Sequence, residues 1–176
     1  MKKITKIIIK DFDGTLVDTG SLEKFKPIYL EKTGKIWPYD GFWGRALSLD
    51  TNLFDMPVIE DTVKSYHEEK DKDGVLMVMM TGRMAKLSNE VETVLAKHNL
   101  KFDEYVYNKG GASTLDFKIK TLNSFLEKYP DVTSIIMWED REEHAIKFRE
   151  WGNNEVLKDR LTEFTLHLVT KTNHEN

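Results

Sequence analysis

Ile7-Ile8-Ile9-Lys10-Asp11-Phe12-Asp13-Gly14-Thr15-Leu16 is the stretch on which the fold turns. Residues 4–10 form a β-branched run that breaks off into two aspartates and a glycine, the pattern of a strand buried on both faces and running into a loop. Alternate residues of an extended segment share a face, so Asp11 and Asp13 are expected to turn both carboxylates toward one cleft. Gly14 lets the chain leave sharply. Two aspartates at a strand end also begin ordinary turns, and the pair gains chemical meaning only from residues further along the chain.

Downstream, residues 74–80 make a second continuous apolar run, read as a central strand. Residues 84–99 carry Leu87, Val91, Val94 and Leu95 at the spacing of one buried helical face. Tyr105-Val106-Tyr107 reads as a short strand, residues 117–129 as a helix with Ile119, Leu122, Phe125 and Leu126 inward, and residues 134–138 as another strand. Residues 141–151 read as a helix with Ala145, Phe148 and Trp151 on its buried face, stopped at Gly152, and residues 165–169 as a last strand. This alternation predicts an α/β fold. It is a Rossmann-like open parallel sheet with helices on both faces, whose ligands bind beyond the carboxyl ends of the strands.

At 176 residues the chain is expected to form a single domain spanning 1–176. Residues 16–73 break the alternation and read as an insert or minimal cap within it. Helices over 22–32 and 58–70 flank an aromatic stretch, Trp37-Pro38-Tyr39-Asp40-Gly41-Phe42-Trp43-Gly44. Trp37 and Trp43 are expected to anchor this segment by packing, Trp138 and Trp151 to sit in the core, and a lid role is open to the insert. Lys2, Lys3, Lys6 and Lys10 lie among acids and apolar residues and read as solvated. Residues 171–176 are polar and expected to fray.

The composition, 40% hydrophobic and 32% charged, is that of a globular chain. A formal net charge of -4 argues against a surface that is basic throughout, while leaving a local basic strip open. Without cysteine there is no disulfide framework, thiolate zinc site or thiol nucleophile. No run is long enough to span a bilayer, and Met1-Lys2-Lys3-Ile4-Thr5-Lys6-Ile7 alternates into charge too early for a signal peptide. A cytoplasmic location without a membrane partner is therefore expected. Nothing in the sequence signals an oligomeric state.

Three further stations give the aspartates a context. Thr81-Gly82-Arg83 comes after the second strand, where a hydroxyl, a free amide and a helix amino terminus are expected to cradle phosphate. Lys118, early in a helix, can carry an ammonium to a phosphoryl oxygen. Glu139-Asp140-Arg141 comes after an apolar strand and can complete a magnesium site with the first aspartate. Each has an ordinary alternative: an N-cap, a surface lysine, a helix cap. Their common position at strand ends or helix starts, around one cleft, is what makes a shared role the better reading.

This order resembles the haloacid dehalogenase superfamily of phosphotransferases, whose motifs are an Asp-x-Asp strand end, a Thr or Ser, a Lys and an acidic pair; the match covers residues 7–140. The resemblance implies a phosphoaspartate on Asp11 and general acid and base work by Asp13. It also implies that Thr81 and Lys118 hold the phosphoryl group. Mg2+ would be held by Asp11, the backbone carbonyl of Asp13, and Asp140, with Glu139 the less defined acid. Trp43, residues 76–83, Phe102-Asp103-Glu104, residues 114–118 and residues 139–144 look like the dehalogenase-type domain of Swiss army knife RNA repair proteins. The acidic-Asp-Arg motif with Trp151-Gly152 is similar to the 3'-phosphatase domain of phage-type polynucleotide kinases.

The expected function is magnesium-dependent phosphomonoester hydrolysis, with RNA or DNA 3'-phosphate ends as the first substrate class. Gly82, Arg83, Arg141 and His144 are the candidates for binding the rest of the phosphorylated substrate, although each is equally at home in a structural role. A phosphatase for nucleotides or small metabolites is the enzymatic alternative, favoured by a closed pocket. A non-catalytic binding domain on the same fold is the alternative of another class, disfavoured by the intact Asp11, Asp13, Lys118 and Asp140.

Overall fold

A computed structural model describes residues 2–170, so the polar stretch 171–176 lies outside the described residues. The five strands among them are β1 (Lys6–Lys10), β2 (Val75–Met84), β3 (Glu104–Asn108), β4 (Ser134–Glu139) and β5 (Glu163–Leu168). They pair in the order β3-β2-β1-β4-β5, and every pairing is parallel. The expected open parallel sheet is thus the one found. β1 occupies its centre, with Ile7 opposite both Leu76 and Ile135 and Lys10 opposite both Met79 and Trp138.

The two-residue period of the strands divides the core into two layers. Ile8, Met77 and Met79 face one side, where they meet α3 (Ser88–Lys97) through Val91, Val94 and Leu95. Ile7, Ile9, Val78, Ile135 and Met137 face the other, against Leu122, Phe125 and Leu126 of α4 (Thr114–Lys128) and Phe148 of α5 (Glu142–Leu157). The residues expected inward on α3 are buried, and Ile119 of α4 packs on the core only partly buried.

Between β1 and β2 the chain forms α1 (Leu22–Thr33), a 3-10 turn at Ala46–Leu49 and α2 (Glu60–Glu69). Its aromatic residues pack with one another. Phe25 stacks on Phe54 with centroids 3.9 Å apart, Phe42 meets Phe25 edge-on at 5.5 Å, and Trp37 closes the group. This cluster is continuous with the sheet layer that holds Ile8 and Met77.

Four expectations need correction. Lys10 is fully buried, because its place in β1 turns it toward α2; its ammonium donates to Ser65 Oγ at 3.1 Å and lies over the Trp138 ring at 4.2 Å. Burial pushes its pKa down to about 7, against the pull of Glu69. Gly152 does not stop α5, which continues to Leu157. A Cβ there would overlap the Phe164 ring of β5, so this glycine serves close helix-strand packing. Trp138 and Trp151 pack against the two core layers rather than inside them, each half-buried. Trp138 lies in β4 between Lys10 of β1 and His167 of β5, and Trp151 Nε1 donates to Asn123 Oδ1 at 2.9 Å. Trp43 is 51% exposed and meets the insert's aromatic cluster only from outside, edge-on to Phe42.

Candidate active site

Asp11 comes directly after the last residue of β1, and its backbone N–H donates to the Trp138 carbonyl at 3.1 Å, which extends the parallel pairing one step past the strand. Its carboxylate Oδ1 accepts from the Phe12 N–H at 2.9 Å and sits 3.2 Å from Lys118 Nζ. Lys118 comes from the second turn of α4. Ser113 sets that helix's entry: its Oγ accepts the Asp116 N–H at 3.1 Å and donates to the Asp116 carboxylate at 2.7 Å.

The Lys118 ammonium also donates to Glu139 Oε2 at 2.8 Å, and lysine and glutamate are both buried. Lys118 therefore bridges the end of β1 to the end of β4. Burial works against its charge, but Asp11 and Glu139 outweigh burial and hold its pKa above the usual lysine range. Burial likewise opposes the Glu139 charge, and the adjacent Lys118 ammonium still keeps that carboxyl below its ordinary value. Glu139, the less defined acid by sequence, is the buried counter-ion of the lysine.

Asp140 completes the acidic group. Asp11, Glu139 and Asp140 each offer a carboxylate oxygen, all within 4.8 Å of one another. Burial raises the Asp11 pKa well above the carboxylate range, with Glu139 and Asp140 adding to it and Lys118 opposing. Burial and the neighbouring Glu139 push Asp140 up to about 7. With Glu139 neutralised by Lys118, two carboxylates whose ionised forms lack a full counter-charge remain side by side. Such an all-oxygen donor pair fits a hard divalent cation. Gly14 makes the approach possible: it has φ +69°, and a Cβ would overlap the Asp140 carboxylate.

Asp13 is held from another direction. Both its oxygens accept from Arg83, Oδ1 from Nη2 at 2.7 Å and Oδ2 from Nε at 3.0 Å, and Oδ1 also accepts from Thr19 Oγ1 at 2.7 Å. The remaining Arg83 nitrogen, Nη1, donates to the Trp43 carbonyl and to Ser48 Oγ, both at 2.8 Å. The guanidinium is buried, and each of its three nitrogens donates.

The cleft enclosed by these groups has a volume of about 480 Å³ and is lined by Asp11, Asp13, Trp43, Gly44, Gly82, Arg83, Met84, Thr114, Lys118, Asp140 and Arg141. Thr81 and His144 are not among the lining residues. The Thr81 hydroxyl is buried and accepts the Arg83 N–H at 3.1 Å. His144 is buried edge-on to Phe148, and burial lowers its pKa. The helix terminus expected after Thr81 is also absent. β2 runs on to Met84, its pairing with β3 shifts between Thr81 and Met84, and a 3-10 turn precedes α3. Gly82 lies in that irregularity, where a Cβ would come 2.6 Å from Thr114 Cγ2 of α4. Trp43, Met84 and Thr114 are not recognisable as cleft residues from sequence, since no local pattern distinguishes a cleft wall from a packed segment.

A parallel sheet with a buried aspartate just past its central strand, a lysine bridge and an acidic end to β4 matches a haloacid dehalogenase (HAD) fold. The chain belongs to HAD domain family 1 in Swiss Army Knife RNA repair proteins, whose sequence model matches residues 48–175. That superfamily consists mostly of phosphatases and generally uses magnesium. Asp11 and Asp13 precede the matched residues, and contacts with Lys118 and Arg83 join them to the matched part. The structure is similar to that of the HAD domain of effector protein Lem4 from Legionella pneumophila. The TM-score is 0.58 at 18% identity, covering 94% of this chain and 86% of that one. An inactive mutant of the same domain gives 0.58 at 17% identity over the same shares. No curated protein matches the sequence. No helix among the described residues is long and apolar enough to cross a membrane.

Proposed function

We propose that this chain is a magnesium-dependent phosphomonoester hydrolase that forms a phosphoaspartate on Asp11 and takes 3'-phosphorylated ends of RNA or DNA. The observation that carries this reading is the Lys118 bridge between Asp11 and Glu139 with Asp140 beside it. Lys118 and the Phe12 N–H engage Asp11 Oδ1, which leaves Oδ2 to attack phosphorus. The phosphorus-oxygen bond to the leaving group breaks, and Asp13 gives that oxygen a proton. Water then attacks the phosphoaspartate, Asp13 takes its proton, and the bond from phosphorus to Asp11 breaks to release phosphate. Lys118 neutralises charge on the transferring group throughout.

Magnesium, when bound, supplies positive charge for the phosphoryl oxygens, and Asp11, the Asp13 carbonyl and Asp140 would hold it. Thr81 enters as the residue that fixes the Gly82-Arg83 backbone rather than as a direct ligand of phosphate. Arg83 positions Asp13, and Arg141 is the lining cation available to the rest of the substrate. Residues 16–73 act as a minimal cap within one domain spanning 1–176.

The nucleic-acid substrate is favoured by the family's RNA repair setting. An aryl phosphate, a mononucleotide panel and a 3'-phosphorylated oligonucleotide, each with magnesium, test the reading against Asp11→Asn. Turnover of the oligonucleotide that disappears in Asp11→Asn is expected. Turnover confined to mononucleotides or metabolites replaces the substrate class, and no Asp11-dependent turnover of anything removes the enzyme.

A further inference from the structure

Trp43 is the most exposed of the four tryptophans. Its neighbours Trp37 and Phe42 are buried, whereas this indole stands at the cleft wall. The ring is nonetheless held in place. It meets the Phe42 ring edge-on, with centroids 5.0 Å apart and planes at 85°, and the Arg83 guanidinium lies 5.0 Å from its centroid. The Trp43 carbonyl accepts from Arg83 Nη1 at 2.8 Å, and the same guanidinium grips Asp13. One guanidinium thus sets the indole in a constant relation to the carboxylate pair. A rigid aromatic surface half in water, beside a phosphate-type site, is a stacking platform in want of a ring.

The rim adds charge. Arg141 is exposed and lines the cleft, and Arg45, two residues beyond Trp43, is exposed with its guanidinium over the Tyr39 ring at 4.6 Å. Neither forms an ion pair with a carboxylate among the described residues. A leaving group that carries both a planar ring and further anionic charge suits this rim better than a bare sugar or an uncharged aryl group.

We infer that Trp43 is the specificity-determining residue of the cleft, the surface on which the terminal nucleobase of a 3'-phosphorylated polynucleotide stacks. The inference rests on the proposed 3'-phosphatase reading and adds to it the requirement for a base. Base-aromatic stacking has a strength that corresponds to roughly a fivefold to hundredfold preference.

Two 3'-phosphorylated oligonucleotides test it, identical except that the terminal nucleotide of one is a stable tetrahydrofuran abasic analogue. The wild-type protein should favour the base-bearing end by about tenfold or more in kcat/KM, chiefly through KM. Trp43→Phe should keep most of that preference, and Trp43→Leu should erase it. Equal handling of both ends by the wild type overturns the inference without any variant, as does a preference that survives Trp43→Leu. Should the wild type hydrolyse neither oligonucleotide, the 3'-end reading fails and takes this inference with it. A Trp43-dependent preference for a phosphotyrosyl peptide over the base-bearing oligonucleotide overturns it in favour of a protein substrate.

Discussion

Lys118 shows what a single residue does in this site. Its ammonium is buried between Asp11 and Glu139, so removing it strands a buried carboxylate and leaves three acidic groups in mutual repulsion. Breaking a buried pair from one side costs about 3–5 kcal/mol. Lys118→Met is therefore expected to be destabilised by about that much in urea unfolding, and Glu139→Gln in the same chain should recover a good part of it. If the two substitutions simply add, the bridge is not what stabilises this end of the sheet. Lys118 is legible in the sequence because a helix start after a strand is a local pattern. The role of Glu139 is not, since it depends on a contact between positions 21 residues apart in sequence. Lys10 misleads for the same reason: among lysines at 2, 3 and 6 it looks solvated, and only the register of β1 buries it.

At the scale of elements, the strand-helix order is readable from period and punctuation, and the ends of the elements are less so. β2 illustrates this. Its apolar run stops at Met80, but the strand continues through Thr81-Gly82-Arg83 because β3 and the start of α4 flank it. Polar residues at a strand end look like a loop whenever their partners come from elsewhere. Gly152 is the opposite case, a residue whose local meaning, helix stop, gives way to packing. Helix propensity alone says that Gly152→Ala should stabilise α5 by about 0.5–1 kcal/mol. The added Cβ would overlap Phe164, a ring rooted in β5, and forced overpacking costs about 1–3 kcal/mol. We expect a net loss of stability, read as a lower melting temperature. A rise would mean that Phe164 moves aside freely and that the glycine has no packing function.

At the scale of the whole molecule, the segment between β1 and β2 and the chemistry at the strand ends are joined through Arg83. Its fork spans Asp13, the Trp43 carbonyl and Ser48 Oγ, so the position of residues 43–48 and that of the Asp13 carboxylate are set by one guanidinium. No local sequence pattern could assemble that connection, because its members lie 35, 40 and 70 residues away from Arg83. Lysine in its place keeps the charge but offers a single nitrogen that cannot meet three acceptors in a plane. Hydrogen bonds to charged groups contribute about 1.5–3 kcal/mol each, and loss of one such bond raises local opening by about tenfold or more. Arg83→Lys should therefore speed amide hydrogen exchange across residues 43–49 by at least about tenfold, while the central strands β1 and β4 keep wild-type protection. The same variant should lose turnover, because Asp13 is released from its fixed orientation. Unchanged exchange in residues 43–49 would separate the insert from the site and remove Arg83 as the link between them.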